Sequence, residues 1–142
     1  MKLAQHILDS KPAGIYSVPP HASIYSVLQL MAEKDIGAVL VMEEESLVGI
    51  FSERDYARKI ILKGKNSTDT LVSDVMTSRL IVVQPKTDIH TCMALMSKNR
   101  IRHLPVVENN TVIGVLSITD LVKAVIAEQE FVIAQLEQYI HQ

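Results

Sequence analysis

Apolar positions recur along this chain in two matching series. Short β-branched runs, "GIYSV" (14–18) and "RLIVV" (79–83), each stop near a proline, which predicts a strand in each place. Behind the first run, Ile24, Val27, Leu28 and Met31 stand at helical spacing; behind the second, Ile89, Cys92, Met93 and Met96 do the same. "GAVLVM" (37–42) and "HLPVV" (103–107) then read as strands. Polar turns, "EEES" and "ENNT", lead into second strands, "LVGIF" and "VIGVL". A further helix opens at Ser52 and at Ser117. Each series therefore reads β-α-β-β-α.

The two series are copies. Residues 18–60 slide onto 83–125 at an offset of 65 with no gap. Val18 meets Val83, Pro20 meets Pro85, Gly49 meets Gly114, Ser52 meets Ser117 and Asp55 meets Asp120. A unit this small buries too little surface alone. The expectation is an α/β (α+β) fold of two βαββα repeats, packed sheet to sheet with pseudo-twofold symmetry and divided at 1–68 and 69–142. Residues 62–76 form the connector, with Ser73 as a helix cap, and 4–10 play the same part for the first copy. The tail 126–142 predicts a helix with Ile126, Ile133, Leu136 and Ile140 on one face, lying on its own domain or on a partner subunit.

Composition narrows the class. A net charge of -2 with interspersed signs gives no field for nucleic acid or an anionic membrane. Tryptophan is absent, so no obvious stacking platform exists for single strands. One cysteine, Cys92, excludes an internal disulfide and fits a reducing compartment. No stretch reads as a secretory signal or a membrane span. The expectation is a cytoplasmic protein with neither nucleic-acid nor membrane partners.

The repeated phrases "GIFSERD" (49–55) and "GVLSITD" (114–120) carry the chemistry. Serine with a carboxylate three residues later is a capping box and needs no ligand. The same geometry can serve a ligand: free amides at a helix start suit phosphate, and a carboxylate can accept from both ribose hydroxyls. Gly49 and Gly114 would let a ligand or another backbone come close.

With "IRHLPVV" (101–107) in the second copy, these features resemble a pair of cystathionine-β-synthase (CBS) domains, the Bateman module. The resemblance covers about residues 3–126. It implies a pseudo-twofold module that often dimerises, binds adenosine-containing ligands between its repeats and regulates a partner protein. It places Ser52, Arg54 and Asp55 opposite Ile81, Val82, Ile101, Arg102 and His103 in a main nucleotide cleft. There Arg54, Arg102 and His103 would form the phosphate end. It places Ser117, Thr119 and Asp120 opposite Tyr16, Ser17, Gly37 and Ala38 in a second cleft that lacks this positive charge.

Other signals stay structural. Cys92 falls on the inward face of its helix, as a small core residue would. His6, His21, His90 and His141 have no metal-ligand spacing. No phosphate loop and no nucleophile elbow occur. The expected function is a non-enzymatic sensor of an adenine nucleotide, AMP first, with ADP, ATP or NADH as variants and no required cofactor. It would act as a homodimer on a regulated partner protein. The alternative is an assembly module whose phrases are caps alone.

Overall fold

The computed structural model describes residues 2–12 and 14–141. In chain order the elements are α1 (Ala4–Asp9), β1 (Ser17–Val18), α2 (Ile24–Lys34), β2 (Ala38–Glu43), β3 (Ser46–Ser52), and α3 (Glu53–Asp55), which runs into a π-helical segment (Tyr56–Ile61). There follow α4 (Val72–Val75), α5 (Ile89–Asn99), β4 (His103–Glu108), β5 (Thr111–Ser117) and α6 (Ile118–Ile140). The elements form the mixed α+β architecture that the sequence predicts.

The offset of the sequence repeat reappears in the backbone. α2 and α5 are each 11 residues long, and their caps match. Ser23 accepts from the Ser26 amide and Asp88 from the Thr91 amide. At the other ends Asp35 (φ 52) and Arg100 (φ 54) take the left-handed conformation that closes a helix. The hairpins β2–β3 and β4–β5 are antiparallel, each with a register shift at matching places, Val41/Met42 and Val106/Val107.

The first strands are shorter than the sequence predicts. Only Ser17–Val18 pairs with β2, in parallel, and in the second copy the run 79–83 keeps a single bridge, Val83 to Val106. A proline explains the difference between copies. The Leu40 amide donates to the Tyr16 carbonyl at 3.2 Å. The position equivalent to Leu40 is Pro105, which has no N–H to give Ile81.

The chain divides into two compact units, residues 15–80 and residues 1–14 with 81–142. This differs from a division at 68/69: α4, which lies beyond that boundary, completes the unit 15–80, and α1, near the start of the chain, joins the unit that holds 81–142. In the unit containing 81–142, the Ala4 amide donates to Thr87 O (2.8 Å) and Gln5 to Pro85 O (3.0 Å). Ala4 and Ile7 are buried there with Val83, Ile89, Cys92, Leu104 and Leu116. In the unit 15–80, Val72 and Val75 of α4 join Val27, Val41, Phe51 and Ile60. Ser73 does not cap α4: the cap position is Leu71, and the Val72 and Ser73 amides are taken by Ala22 O and Pro20 O.

The repeated glycines explain these attachments. A Cβ on Gly49 would collide with the Met76 side chain, and one on Gly114 would lie 2.5 Å from Leu8 Cδ2. Both glycines thus admit the side chain of a connector, and the space the sequence reading offered to a ligand is filled.

Candidate functional site

Each repeated phrase sits where a strand turns directly into a helix. Ser52 ends β3 and Ser117 ends β5, both with extended backbone, and the next residue is helical. Four amides at such a start lack helical partners. Ser52 Oγ accepts from the Asp55 amide (3.3 Å), and Ser117 Oγ accepts from the Asp120 amide (3.1 Å). The aspartates reply: Asp55 Oδ2 accepts from the Ser52 amide (3.0 Å), and Asp120 Oδ2 from the Ser117 amide (2.9 Å). Both phrases are complete capping boxes.

Beyond the cap the carboxylates differ. Asp55 Oδ2 also accepts from Ser52 Oγ (3.2 Å), while Oδ1 accepts from Thr77 Oγ1 (3.1 Å) and pairs with Lys59 Nζ (3.1 Å). That uses about all four acceptor positions of a carboxylate. Asp120 receives Lys11 Nζ at 2.7 Å, again on Oδ2. Lys11 is anchored in turn by Val115 O (2.9 Å), as Lys59 is by Val75 O (2.9 Å). Burial pushes the Asp120 carboxyl up, but the Lys11 ammonium and the Ser117 amide outweigh it and hold it below its ordinary value.

Lys11, Lys59 and Thr77 were absent from the sequence expectation. Lys59 lies one helical turn from Asp55, a signal that was available. Lys11 and Thr77 arrive from the connectors, which no local pattern reveals.

The remaining expected residues fall as follows. Within the unit 15–80, the Glu53 amide donates to Gly37 O (3.1 Å) and Ala38 pairs with Ser52, so Gly37 and Ala38 adjoin the first helix start. Arg54 is exposed in its first turn. On β1, Ser17 is exposed and so is Tyr16 just before it, with Lys34 Nζ 5.6 Å from the Tyr16 ring centre. In the other unit, the Ile118 amide donates to Arg102 O (2.9 Å) and His103 pairs with Ser117. Arg102, Thr119 and Val82 are exposed, while His103, Ile101 and Ile81 are half-buried. Inside each unit, then, the first phrase adjoins Gly37 and Ala38, and the second adjoins Arg102 and His103.

Cys92 is fully buried in its core, and burial, helped by the Asp88 charge, pushes its thiol up to about 11. A thiol so protonated is a poor nucleophile near neutrality. Among the described residues, no three His, Cys, Asp or Glu side chains are grouped to hold a metal ion, and no helix is long and apolar enough to cross a membrane.

A family model of the CBS domain matches residues 9–62 and again 72–127. The chain belongs to the CBS-domain family. Over 123 residues it is 42% identical to "CBS domain-containing protein CBSX3, mitochondrial" of Arabidopsis thaliana, matching 83% of this chain and 60% of that protein. It thus spans somewhat less than two thirds of that relative. A solved structure of a protein with CBS domains from Burkholderia ambifaria MC40-6 is similar at TM-score 0.87 and 44% identity, over 90% of this chain and 96% of that one. The CBS domain protein PAE2072 of Pyrobaculum aerophilum, solved in complex with AMP, is similar at TM-score 0.73 and 27% identity, over 83% and 88% of the two chains. Both CBS repeats of this chain carry the serine–aspartate helix start, and both aspartates are partnered by a lysine.

Proposed function

We propose that this chain is a regulatory module that binds an adenine nucleotide, AMP in the simplest case, and transmits its occupancy to a partner protein. ADP, ATP or NADH would be admitted if the site has room beyond the first phosphate. The observation that carries the reading is the AMP complex of a protein sharing this fold at 27% identity. The two strand-to-helix starts support it, each presenting a serine, an aspartate and helix-start amides.

In this reading Ser52, Arg54 and Asp55 share a ligand with Ile81, Val82, Ile101, Arg102 and His103. Arg54, Arg102 and His103 meet the phosphate, and Asp55 exchanges one of its hydrogen bonds for a ribose hydroxyl. Ser117, Thr119 and Asp120, with Tyr16, Ser17, Gly37 and Ala38, make a second site without the arginines. The role is regulatory and not catalytic, in a reducing, cytoplasm-like compartment. Binding shifts the module only if the ligand prefers one arrangement of the repeats.

One observation favours an assembly module instead. Both capping boxes are complete, and both carboxylates are charge-compensated without any ligand. Isothermal titration with AMP, ATP, NADH and S-adenosylmethionine decides. Heat and a raised melting temperature with an adenine nucleotide are expected; no response to any of the four would leave the assembly reading.

A further inference from the structure

The two oxygens of Asp55 are committed in different directions. Oδ2 belongs to the cap, accepting from the Ser52 amide and the Ser52 hydroxyl. Oδ1 faces the connector, accepting from Thr77 Oγ1 (3.1 Å) and pairing with Lys59 Nζ (3.1 Å). Lys59 reaches the same short stretch, donating to Val75 O at 2.9 Å and to Thr77 Oγ1 at 3.4 Å. The backbone of Thr77 is fastened as well: its amide donates to Ile50 O (2.8 Å), and its carbonyl accepts from the Ile50 amide (3.0 Å). All these groups lie in the unit 15–80. Only residues 78–80 separate Thr77 from Ile81, where the chain enters the other unit.

A ribose diol that takes Asp55 must displace something, because the acceptor positions of the carboxylate are filled. Surrendering Oδ2 would undo the cap and leave a helix-start amide without its acceptor. Surrendering Oδ1 gives up only the ties to 75–77. Asp120 is arranged otherwise. The Ser117 amide and Lys11 both fall on its Oδ2, and Ala124 stands where the first copy has Lys59.

We propose that Asp55 Oδ1 is a latch on the connector and that a ribose hydroxyl opens it. The inference rests on the nucleotide reading and adds how occupancy leaves the site. A diol on Oδ1 frees the Thr77 hydroxyl and takes the counterion of Lys59. The stretch 75–77 then loosens just before the chain leaves its unit. At Asp120 a diol can take Oδ1 and leave Lys11 in place. Occupancy of the first site therefore reaches the connector, and occupancy of the second does not.

Hydrogen exchange in the full chain tests the latch at the Thr77 and Ile50 amides. Without ligand, Thr77→Val with Lys59→Met leaves the acceptors of the cap in place. It should speed both amides roughly tenfold or more while the Asp55 amide keeps its protection. Unchanged Thr77 and Ile50 amides would overturn the latch, whether or not a nucleotide binds. In wild type, saturating AMP should speed the same two amides, and 2′,3′-dideoxy-AMP, which lacks both hydroxyls, should not. AMP that binds and leaves them unchanged would overturn the release. Thr77→Val alone should tighten AMP binding roughly two- to tenfold, because one competitor for Oδ1 is gone. Weaker binding would make Thr77 a ligand contact and overturn the latch. Absence of binding heat with AMP would overturn the nucleotide reading and the release with it, while the ligand-free exchange still decides the latch.

Discussion

The two helix starts share a phrase and differ in everything that arrives from a distance. In the first, Asp55 is held through both oxygens by Ser52, Thr77 and Lys59, and regular α-helix ends after three residues, giving way to π winding. In the second, Asp120 is held through Oδ2 by Ser117 and Lys11, and the helix continues for 23 residues. What the repeat copied is the cap. What it did not copy is the support: Lys59 lies one turn further along the same helix, where the second copy has Ala124, and Thr77 and Lys11 come from outside the repeated stretch. The first copy has the more saturated carboxylate and the second the more open one.

The proposed nucleotide should separate the two starts most strongly, in favour of Asp55 despite its saturation, because the proposal sets Arg54, Arg102 and His103 on the Asp55 side alone. Asp55→Ala is expected to weaken AMP binding about tenfold or more, roughly 1.4 kcal/mol, while Asp120→Ala stays within a few-fold. Calorimetric titration of both variants measures it. Equal losses would remove the case for a phosphate-holding site at Arg54, Arg102 and His103. Asp55→Asn separates cap from ligand, since lower stability with unchanged affinity would assign the carboxylate to the helix.

Next come the glycines. Overpacking a core site costs about 1–3 kcal/mol. Gly49→Ala should fall toward the upper end and Gly114→Ala toward the lower, because the new methyl would meet Met76 at its Cγ and sulfur, in mid-chain, but Leu8 first at its terminal methyls. Urea unfolding gives both values. If pairing Gly114→Ala with Leu8→Ala brings no partial recovery, the connector contact is not the reason for the glycine.

The lysines are a smaller lever, with a sign fixed by charge. Lys11→Met should destabilise by roughly 1 kcal/mol, discounted because both partners keep some exposure to water. Lys59→Met should do less, because Thr77 and Ser52 still serve Asp55. The Asp120 carboxyl is lowered in the folded state, so its contribution is fully present above the unfolded value near ~3.9 and is lost as pH falls through the folded one. The gap in urea midpoint between wild type and Lys11→Met should therefore be widest above about pH 5 and close on acidification. A gap that widens toward acid would contradict the ion pair.

Much of this was legible because it is local. Helical spacing fixed α2 and α5, turn residues fixed the hairpins, and Ser-x-x-Asp fixed both caps within a window of a few residues. Two things were not local. Which unit α1 and α4 complete depends on Leu8 reaching Gly114 and Met76 reaching Gly49, and neither contact leaves a periodic trace. The Lys11–Asp120 pair joins residues 109 apart. The length of the first strands lay between these cases. Aligning the copies put Pro105 on Leu40, and the missing amide could have been read from that column.

That missing amide gives the smallest effect and the cleanest contrast between the repeats. The Leu40 amide is bonded to Tyr16 O at 3.2 Å, and its counterpart is a proline. Pro105→Val supplies an N–H opposite Ile81 O with little change in volume. One net hydrogen bond contributes about 0.5–1.5 kcal/mol, against about 0.4–1 kcal/mol lost when the unfolded chain regains freedom at that position. Global stability should therefore move by about 1 kcal/mol or less. Hydrogen exchange should still report the change, because the amide gained by the substitution ought to be protected as strongly as that of Leu40. If that new amide exchanges like an exposed loop, something other than the proline shortens the second ladder.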